Sequence, residues 1–307
     1  MSEEPIDPLA VYDLSLSPIT FDFCNFLAFA RLSIAKATGS PAFTLQVFAD
    51  SWRNVTPREK KYTLNERIWR LHNLIMPICS LAPGISGLGV SLRPKAREDY
   101  LGRAYVTSDN RNYLTQSLLE LFHDTGFEPH MFRSPEVARD YARRIFGAQK
   151  KVALLNTRRS NFEPERDTPS DFTIQVIDEL RGLGYSVFLV PDQELGLGEF
   201  ETDCRVKVIN EAAVNLPLRL ALHELADVTI TTCSGPQLLA SLSVEKPNMV
   251  TCYPLRAGMR TASPEYFLAN GFEIGAQQPL PYTPANQVWL WDMEPNPKEV
   301  CEIAQSL

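Results

Sequence analysis

The chain has 307 residues, 44% of them hydrophobic and 22% charged, which is enough to bury a large core and too apolar for a disordered chain. Its formal net charge of −7 gives no general attraction to nucleic acid or to an anionic membrane, so an anionic ligand has to be held by a local group of cations. The opening MSEEPIDPLAVYD has no basic run ahead of an apolar core and does not read as a secretory signal, so residence in the cytoplasm is expected. The apolar stretch 21–35 is interrupted by Asp22, Asn25 and Arg31, and no membrane span is expected. Cys24, Cys79, Cys204, Cys233, Cys252 and Cys301 lie far apart, with no CxxC pair and no clustered histidines, and signal neither a zinc site nor a redox pair.

Along the chain, strand-like and helix-like segments alternate. Residues 11–16 predict a strand, and 20–36 place Phe23, Phe26, Leu27, Ala30 and Ile34 at helical spacings, which predicts a helix with one buried face. A strand follows at 43–48 and a helix over 65–76, with Ile68, Leu71, Leu74 and Ile75 on one side. A strand at 104–107, a helix around 112–122 and a helix over 135–146 come next, the last with Ser134 as its N-cap and Pro135 in its first position. Residues 147–151 read as the join between an N-terminal domain, 1–148, and a C-terminal domain, 149–307.

The second half repeats the alternation. Strands are predicted at 151–156, 185–190, 227–231 and 248–252, and helices over 171–183 (ended by Gly184), 217–225, 236–242 and 297–305. A strand, a connection of ~25 residues carrying a helix, and a second strand make the spacing of a right-handed βαβ unit with parallel strands. The proline-rich stretch 254–284 predicts little regular structure. The expected fold class is α/β, as two Rossmann-like domains with a cleft between them.

In open α/β sheets, ligands bind beyond the carboxyl ends of the strands, so the residues just after each strand carry the chemistry. The strand at 151–156 is followed by Thr157, Arg158, Arg159, Ser160 and Asn161, where guanidinium groups offer forked donors to phosphate or carboxylate oxygens. A solvated basic turn is the simpler alternative. Asp192, after the strand at 185–190, can accept from ribose or sugar hydroxyls, or can be an ordinary turn acid. Between the strand at 227–231 and the next helix runs Thr232-Cys233-Ser234-Gly235-Pro236, whose small residues allow close approach to the first helical amides; Ser234, Gly235 and Pro236 are the expected phosphate-side residues. No Walker lysine follows this turn and no GxGxxG occurs after a strand, which removes support for P-loop ATPases and dinucleotide dehydrogenases.

The run RRSNFEP, then GYSVFLVPD, then NLPLRLALHELADVTITTCSGPQLLASLSVEKPNMV, over about residues 151–252, resembles the GT-B glycosyltransferases, in particular the bacterial cell-surface polysaccharide members. The resemblance implies a nucleotide-sugar donor held by the C-terminal half, with the turn at 232–236 against its phosphates, and a glycan acceptor on the N-terminal side. Arg219 then either reaches the ligand, pairs with Glu224 or lies on the solvent face, and His223 one turn later suits a structural role. Asp22, at the start of the first helix, is the expected catalytic base or else a helix-capping acid; Asp13, Asp50 and Asp109 are weaker candidates. Trp52 and Trp69 can offer a stacking surface, and Gln277, in the loop 270–279, can line the ligand site or lie on a plain surface.

The expected function is therefore transfer of a sugar from a nucleotide-sugar donor in surface polysaccharide synthesis. No cofactor is expected, and no metal, since the chain has no DxD triplet. A nucleotide-sugar epimerase or hydrolase of the same architecture, or a silent sugar- or nucleotide-binding protein, fits the same residues.

Overall fold

The structure is a computed structural model and describes residues 8–49, 60, 62–91, 97–108, 115–160, 163–193, 206–256, 258–292 and 294–307. The chain divides into two compact units, Met1–Met131 and Phe132–Leu307.

The first unit runs β1 (Leu9–Asp13), α1 (Asp22–Thr38), β2 (Phe43–Phe48), α2 (Leu64–Arg70), a π turn at Leu71–Ile75, α3 (Met76–Ser80), β3 (Ile85–Ser91), α4 (Arg97–Leu101), β4 (Val106–Thr107) and α5 (Thr115–Thr125). Its strands form a parallel sheet in the order β3-β2-β1-β4. Ala10, Val11 and Tyr12 are buried in succession, as expected of a parallel strand covered on both faces. The inner face of α1 is the one the periodicity picked out: Phe23, Phe26, Leu27, Ala30 and Ile34 are all buried, and the Tyr12 ring packs on Phe23 and Phe26 with centroids 4.7 and 4.9 Å apart. Each buried Phe, Leu or Ile among these contributes roughly 1.5–3 kcal/mol by leaving water. Thr63 starts α2 with a capping box, its hydroxyl accepting from Glu66 N at 3.2 Å while Glu66 Oε2 accepts from Thr63 N at 2.6 Å.

The second unit contains α6 (Glu136–Phe146), β5 (Val152–Asn156), α7 (Ser170–Gly182), β6 (Ser186–Val190), β7 (Lys207–Val208), α8 (Glu211–Val214), α9 (Leu216–Leu225), β8 (Val228–Thr232), α10 (Gly235–Ser241), β9 (Met249–Cys252), α11 (Pro264–Ala269), β10 (Gln287–Trp289) and α12 (Pro297–Ser306). The strands are parallel in the order β10-β9-β8-β5-β6-β7. One face of β5, with Ala153 and Leu155, packs on Val176 of α7 and Val300 of α12; the other, with Val152 and Leu154, packs on Ala142 of α6 and Leu222 of α9. Gly184 closes α7 at φ +84, a left-handed position that glycine adopts without a steric penalty.

Three sequence expectations need correction. The units divide at Met131/Phe132 rather than near residue 148, because α6 buries Ala138, Ala142 and Phe146 against the second sheet and the 147–151 turn only reverses the chain into β5. Ser134 does not cap α6; Pro135 holds the cap position, and the Ser134 hydroxyl donates to Glu224. The stretch 254–284 includes a helix, α11, begun by Ser263, whose hydroxyl accepts from Tyr266 N at 3.2 Å. Among the described residues no helix is long and apolar enough to cross a membrane.

Glu224, whose side chain is fully buried at the end of α9, gathers the start of the second unit. It accepts from Arg139 Nη1 and Ser243 Oγ, both at 2.8 Å, and from Ser134, beside the bridge that pairs Phe132 with Ser243. Removing one partner of such a buried group leaves the others unsatisfied. Glu224→Ala should therefore lower stability by about 3 kcal/mol in urea denaturation, whereas Arg143→Ala, which breaks only the exposed pairs to Glu136 and Asp140, should leave the midpoint nearly unchanged.

Candidate anion-binding site at the carboxyl ends of the second sheet

The strand order of the second unit reverses at β5. The chain builds outward from β5 through β6 to β7, then returns to the other side of β5 for β8, β9 and β10. Beyond β5 the chain enters α7 on one face, and beyond β8 it enters α10, beside α9 on the other. A crevice outside the carboxyl ends of two such strands is where open α/β sheets take ligands.

The switch point is spanned by side chains. Asn156, last in β5, donates from Nδ2 to Thr231 Oγ1 of β8 at 2.9 Å, and Arg219 of α9 donates from Nη2 to Asn156 Oδ1. Thr232 Oγ1 lies 2.6 Å from Thr168 Oγ1, which accepts from Arg158 N at 2.9 Å. The turns after β5 and β8 are thereby tied together. Arg219 is only 1% exposed, so it neither lies on a solvent face nor pairs with Glu224, and its Nε and Nη1 have no hydrogen-bond partner among the described residues. Burial pulls the guanidinium down to about 10, opposed by the nearby Asp192 carboxylate. Such a group cannot touch a ligand in solvent, but its charge lies beneath both turns.

The two arginines of the basic turn have different roles. Arg158 is buried, not a solvated loop residue: Nη1 donates to Asp167 and, at 3.0 Å, to the Glu163 carbonyl. Burial, then the neighbouring charge of Arg166, lowers its affinity for a proton. Arg159 is half-buried, and its Nη2 donates to Ser170 Oγ at 2.5 Å at the start of α7. Asn161 lies outside the described residues. Asp192 accepts from Gln193 N at 2.7 Å and from Arg159 N at 3.3 Å, so its carboxylate shapes the β5 turn; burial raises it above the ordinary carboxylate range.

Ser234 occupies the N-cap position of α10 without a side-chain capping bond, and Gly235 and Pro236 open the helix, which has seven residues. The Cys233 carbonyl just before it accepts from Arg166 Nη2 at 3.0 Å. Arg166 was not anticipated from the sequence, nor was Arg256, whose guanidinium lies 4.2 Å from the centre of the Tyr253 ring after β9. Both stand in connections read as loops, and only the ER-D alternation around Arg166 hinted at ion pairing. Gln277 is exposed, and its carbonyl accepts from Trp289 N of β10, three strands from β5; the structure does not bring it to the switch point.

The carboxylates of the first unit are placed by the same topology. The order β3-β2-β1-β4 reverses at β1, and Asp13 ends that strand. Its N–H donates to Ser108 Oγ beyond β4 at 2.9 Å, Oδ1 accepts from Ser15 N at 2.8 Å, and Oδ2 pairs with Arg97 Nε at 2.6 Å. Asp22 is half-buried in the first turn of α1, with its N–H 3.4 Å from Thr20 Oγ1. Asp50, Asp109 and Trp52 lie outside the described residues, and Trp69 is half-buried in α2. A cavity of about 490 Å³ lined by Phe146, Arg181, Tyr185 and Lys207 opens at the amino ends of β6 and β7, at the opposite end of the strands from the switch point. Among the described residues, no group of three or more His, Cys, Asp or Glu side chains is placed to hold a metal ion.

No protein-family model matches the chain, and no curated protein matches it in sequence. Solved structures do match. The ADP-heptose LPS heptosyltransferase II of E. coli superposes with a TM-score of 0.57 at 12% identity, covering 97% of this chain and 98% of that one. A glycosyl transferase family 9 structure from Veillonella parvula DSM 2008 gives 0.52 at 14% identity, covering 86% and 85%. The chain shares their mixed α/β fold with parallel sheets.

His223 gives the site a titration signature. It is 1% exposed, Nδ1 is 3.3 Å from Thr229 Oγ1, and burial, reinforced by the charge of Arg219, pushes the imidazole down to about 3. The folded ring stays neutral while the unfolded chain protonates near pH 6.5. Stability is therefore unaffected above about pH 6.5 and is lost progressively as pH falls toward 3. Between pH 6 and 4, the wild type should lose stability faster than His223→Gln by up to about 1.4 kcal/mol per pH unit in urea titrations.

Proposed function

We propose that the chain is a glycosyltransferase that moves a sugar from a nucleotide-sugar donor to a glycan or related acceptor in surface polysaccharide synthesis. The observation that carries this reading is the switch point of the second sheet, where the turns after β5 and β8 meet above a buried guanidinium and are flanked by Arg158, Arg159 and Arg166. The fold shared with a structure named for ADP-heptose supports a nucleotide-sugar donor. When the sugar leaves, negative charge builds on the diphosphate, and pre-placed cations lower the cost of that charge. In this reading Arg159 contacts the diphosphate, with Ser234, Gly235 and Pro236 on its other side; Arg158 and Asp192 hold the turn, and Arg219 adds field from below.

The base that takes the acceptor proton is a carboxylate of the first unit. Asp22, at the start of α1, is one candidate. The position of Asp13 at the switch point of the first sheet, beyond the strand end where ligands of such sheets bind, favours it as the second.

Incubation with a panel of nucleotide sugars tests the reaction: a transferase releases nucleoside diphosphate with an acceptor present, whereas an epimerised donor or no turnover contradicts it. Arg159→Ala should weaken nucleoside diphosphate binding roughly ten- to a hundred-fold in calorimetry, the loss of a charge-assisted contact of about 1.5–3 kcal/mol. Thermal stability should be nearly unchanged, and Arg159→Lys should rescue only part, since an ammonium lacks the planar fork. Unchanged affinity in Arg159→Ala would remove the ligand contact from this account.

A further inference from the structure

Two cations of the strand-end site, Arg158 and Arg166, are already occupied, and the occupants are carboxylates of a single turn. Glu163 Oε2 accepts from Arg166 Nη1 at 3.1 Å and from Thr261 Oγ1 at 2.5 Å, while Asp167 takes Arg158. Arg166 also donates to Thr261 Oγ1 at 2.8 Å and to the Cys233 carbonyl, so one guanidinium touches the segments that follow β5, β8 and β9. The Arg166 and Glu163 side chains are 12% and 14% exposed, which leaves their contact only partly screened by solvent.

The backbone shows that this contact is not a local preference. Glu163 stands at φ 51 and ψ 64, in the left-handed region, which a residue with a Cβ keeps when surrounding contacts hold it there. Its carbonyl accepts from Arg158 Nη1 and from Arg166 N, both at 3.0 Å, and its carboxylate is bonded to Arg166 and to Thr261 on the segment after β9. The carboxylate in that position presents one oxygen, Oε2, to both a guanidinium and a hydroxyl, the donor set that a phosphate oxygen would also take.

We propose that Glu163 is a stand-in anion: its carboxylate fills the Arg166–Thr261 position in the ligand-free chain and is displaced by an oxygen of the phosphorylated ligand. The inference rests on the reading that this site takes such a ligand. Displacement exchanges charge-assisted bonds to Glu163 for bonds to the ligand, and it frees Glu163 to leave the left-handed conformation. The wild type therefore binds more weakly than its cations would allow. Removing the carboxylate raises affinity, whereas the loss of a residue that only builds the site lowers it.

Calorimetry on the full chain with inorganic pyrophosphate and with ADP tests this. Glu163→Gln should bind both probes about fivefold tighter or more, the scale of one competing charge at a half-buried contact. Glu163→Gly removes the carboxylate and suits the left-handed backbone, so it should show the same gain if the glutamine variant folds poorly. Arg166→Ala should lose affinity. Equal or weaker binding in both Glu163 variants, with wild-type binding intact, overturns the stand-in and leaves the ligand class standing. No binding of either probe to any of the chains overturns both.

Discussion

The bond from Arg219 to Asn156 places a full positive charge in the interior of the second unit, directly under the ends of β5 and β8. Burying a guanidinium is costly unless its donors are met and its charge is balanced, and here Asn156 meets one nitrogen while Asp192 lies near enough to act through its field alone. The neighbouring groups follow from that choice. Asn156 is turned to accept and so offers its amide to Thr231; Asp192 holds the amide of Arg159; His223 stays neutral one turn along α9. The two turns that meet at the switch point are thus positioned by a chain of buried polar contacts.

Above this layer the charges are arranged differently. Arg158 and Arg166 are both paired with acids from the same short connection, Asp167 and Glu163, so the surface is close to self-neutralised when nothing is bound. A site made of unopposed arginines would pay for their mutual repulsion in the folded chain. Pairing Arg158 and Arg166 with nearby carboxylates avoids that repulsion and keeps the guanidinium groups in place. Arg159, half-buried and bonded to a serine hydroxyl rather than to an acid, is the cation of the turn most ready to meet an incoming anion.

Much of this fold is legible in the sequence because parallel strands buried on both faces leave compact apolar runs. KVALLN, YSVFLV and DVTIT all became β5, β6 and β8 within a residue or two. What escaped did so for identifiable reasons. β3 is ISGLGVS, whose glycines break the apolar run that marks the other strands, yet a Cβ at Gly89 would stand 2.2 Å from Gln46 Oε1, so the missing side chain makes room for the buried glutamine of the neighbouring strand. Short β10 and α11 were hidden among prolines. α6 was assigned to the wrong unit because its amphipathic pattern cannot say which sheet it covers. For the site, the strand-end rule points to the turns after β5 and β8, but the state of each arginine was not legible. LPLRLALHEL is apolar nearly all round, and a helix of that kind is buried whole; Arg219 and His223 were carried inside with it. Arg166 depends on contacts 67 and 95 residues away, which no local pattern encodes.

The proposed function rests on a phosphorylated ligand binding at the carboxyl ends of β5 and β8. Hydrogen–deuterium exchange of the full chain with and without saturating ADP addresses it directly, because amides that donate to or are shielded by a ligand exchange more slowly. Slowed exchange is expected in the segments 157–160 and 233–238. Slowing confined to the amino ends of β6 and β7, around Tyr185 and Lys207, or no slowing in either turn at saturation, would contradict it.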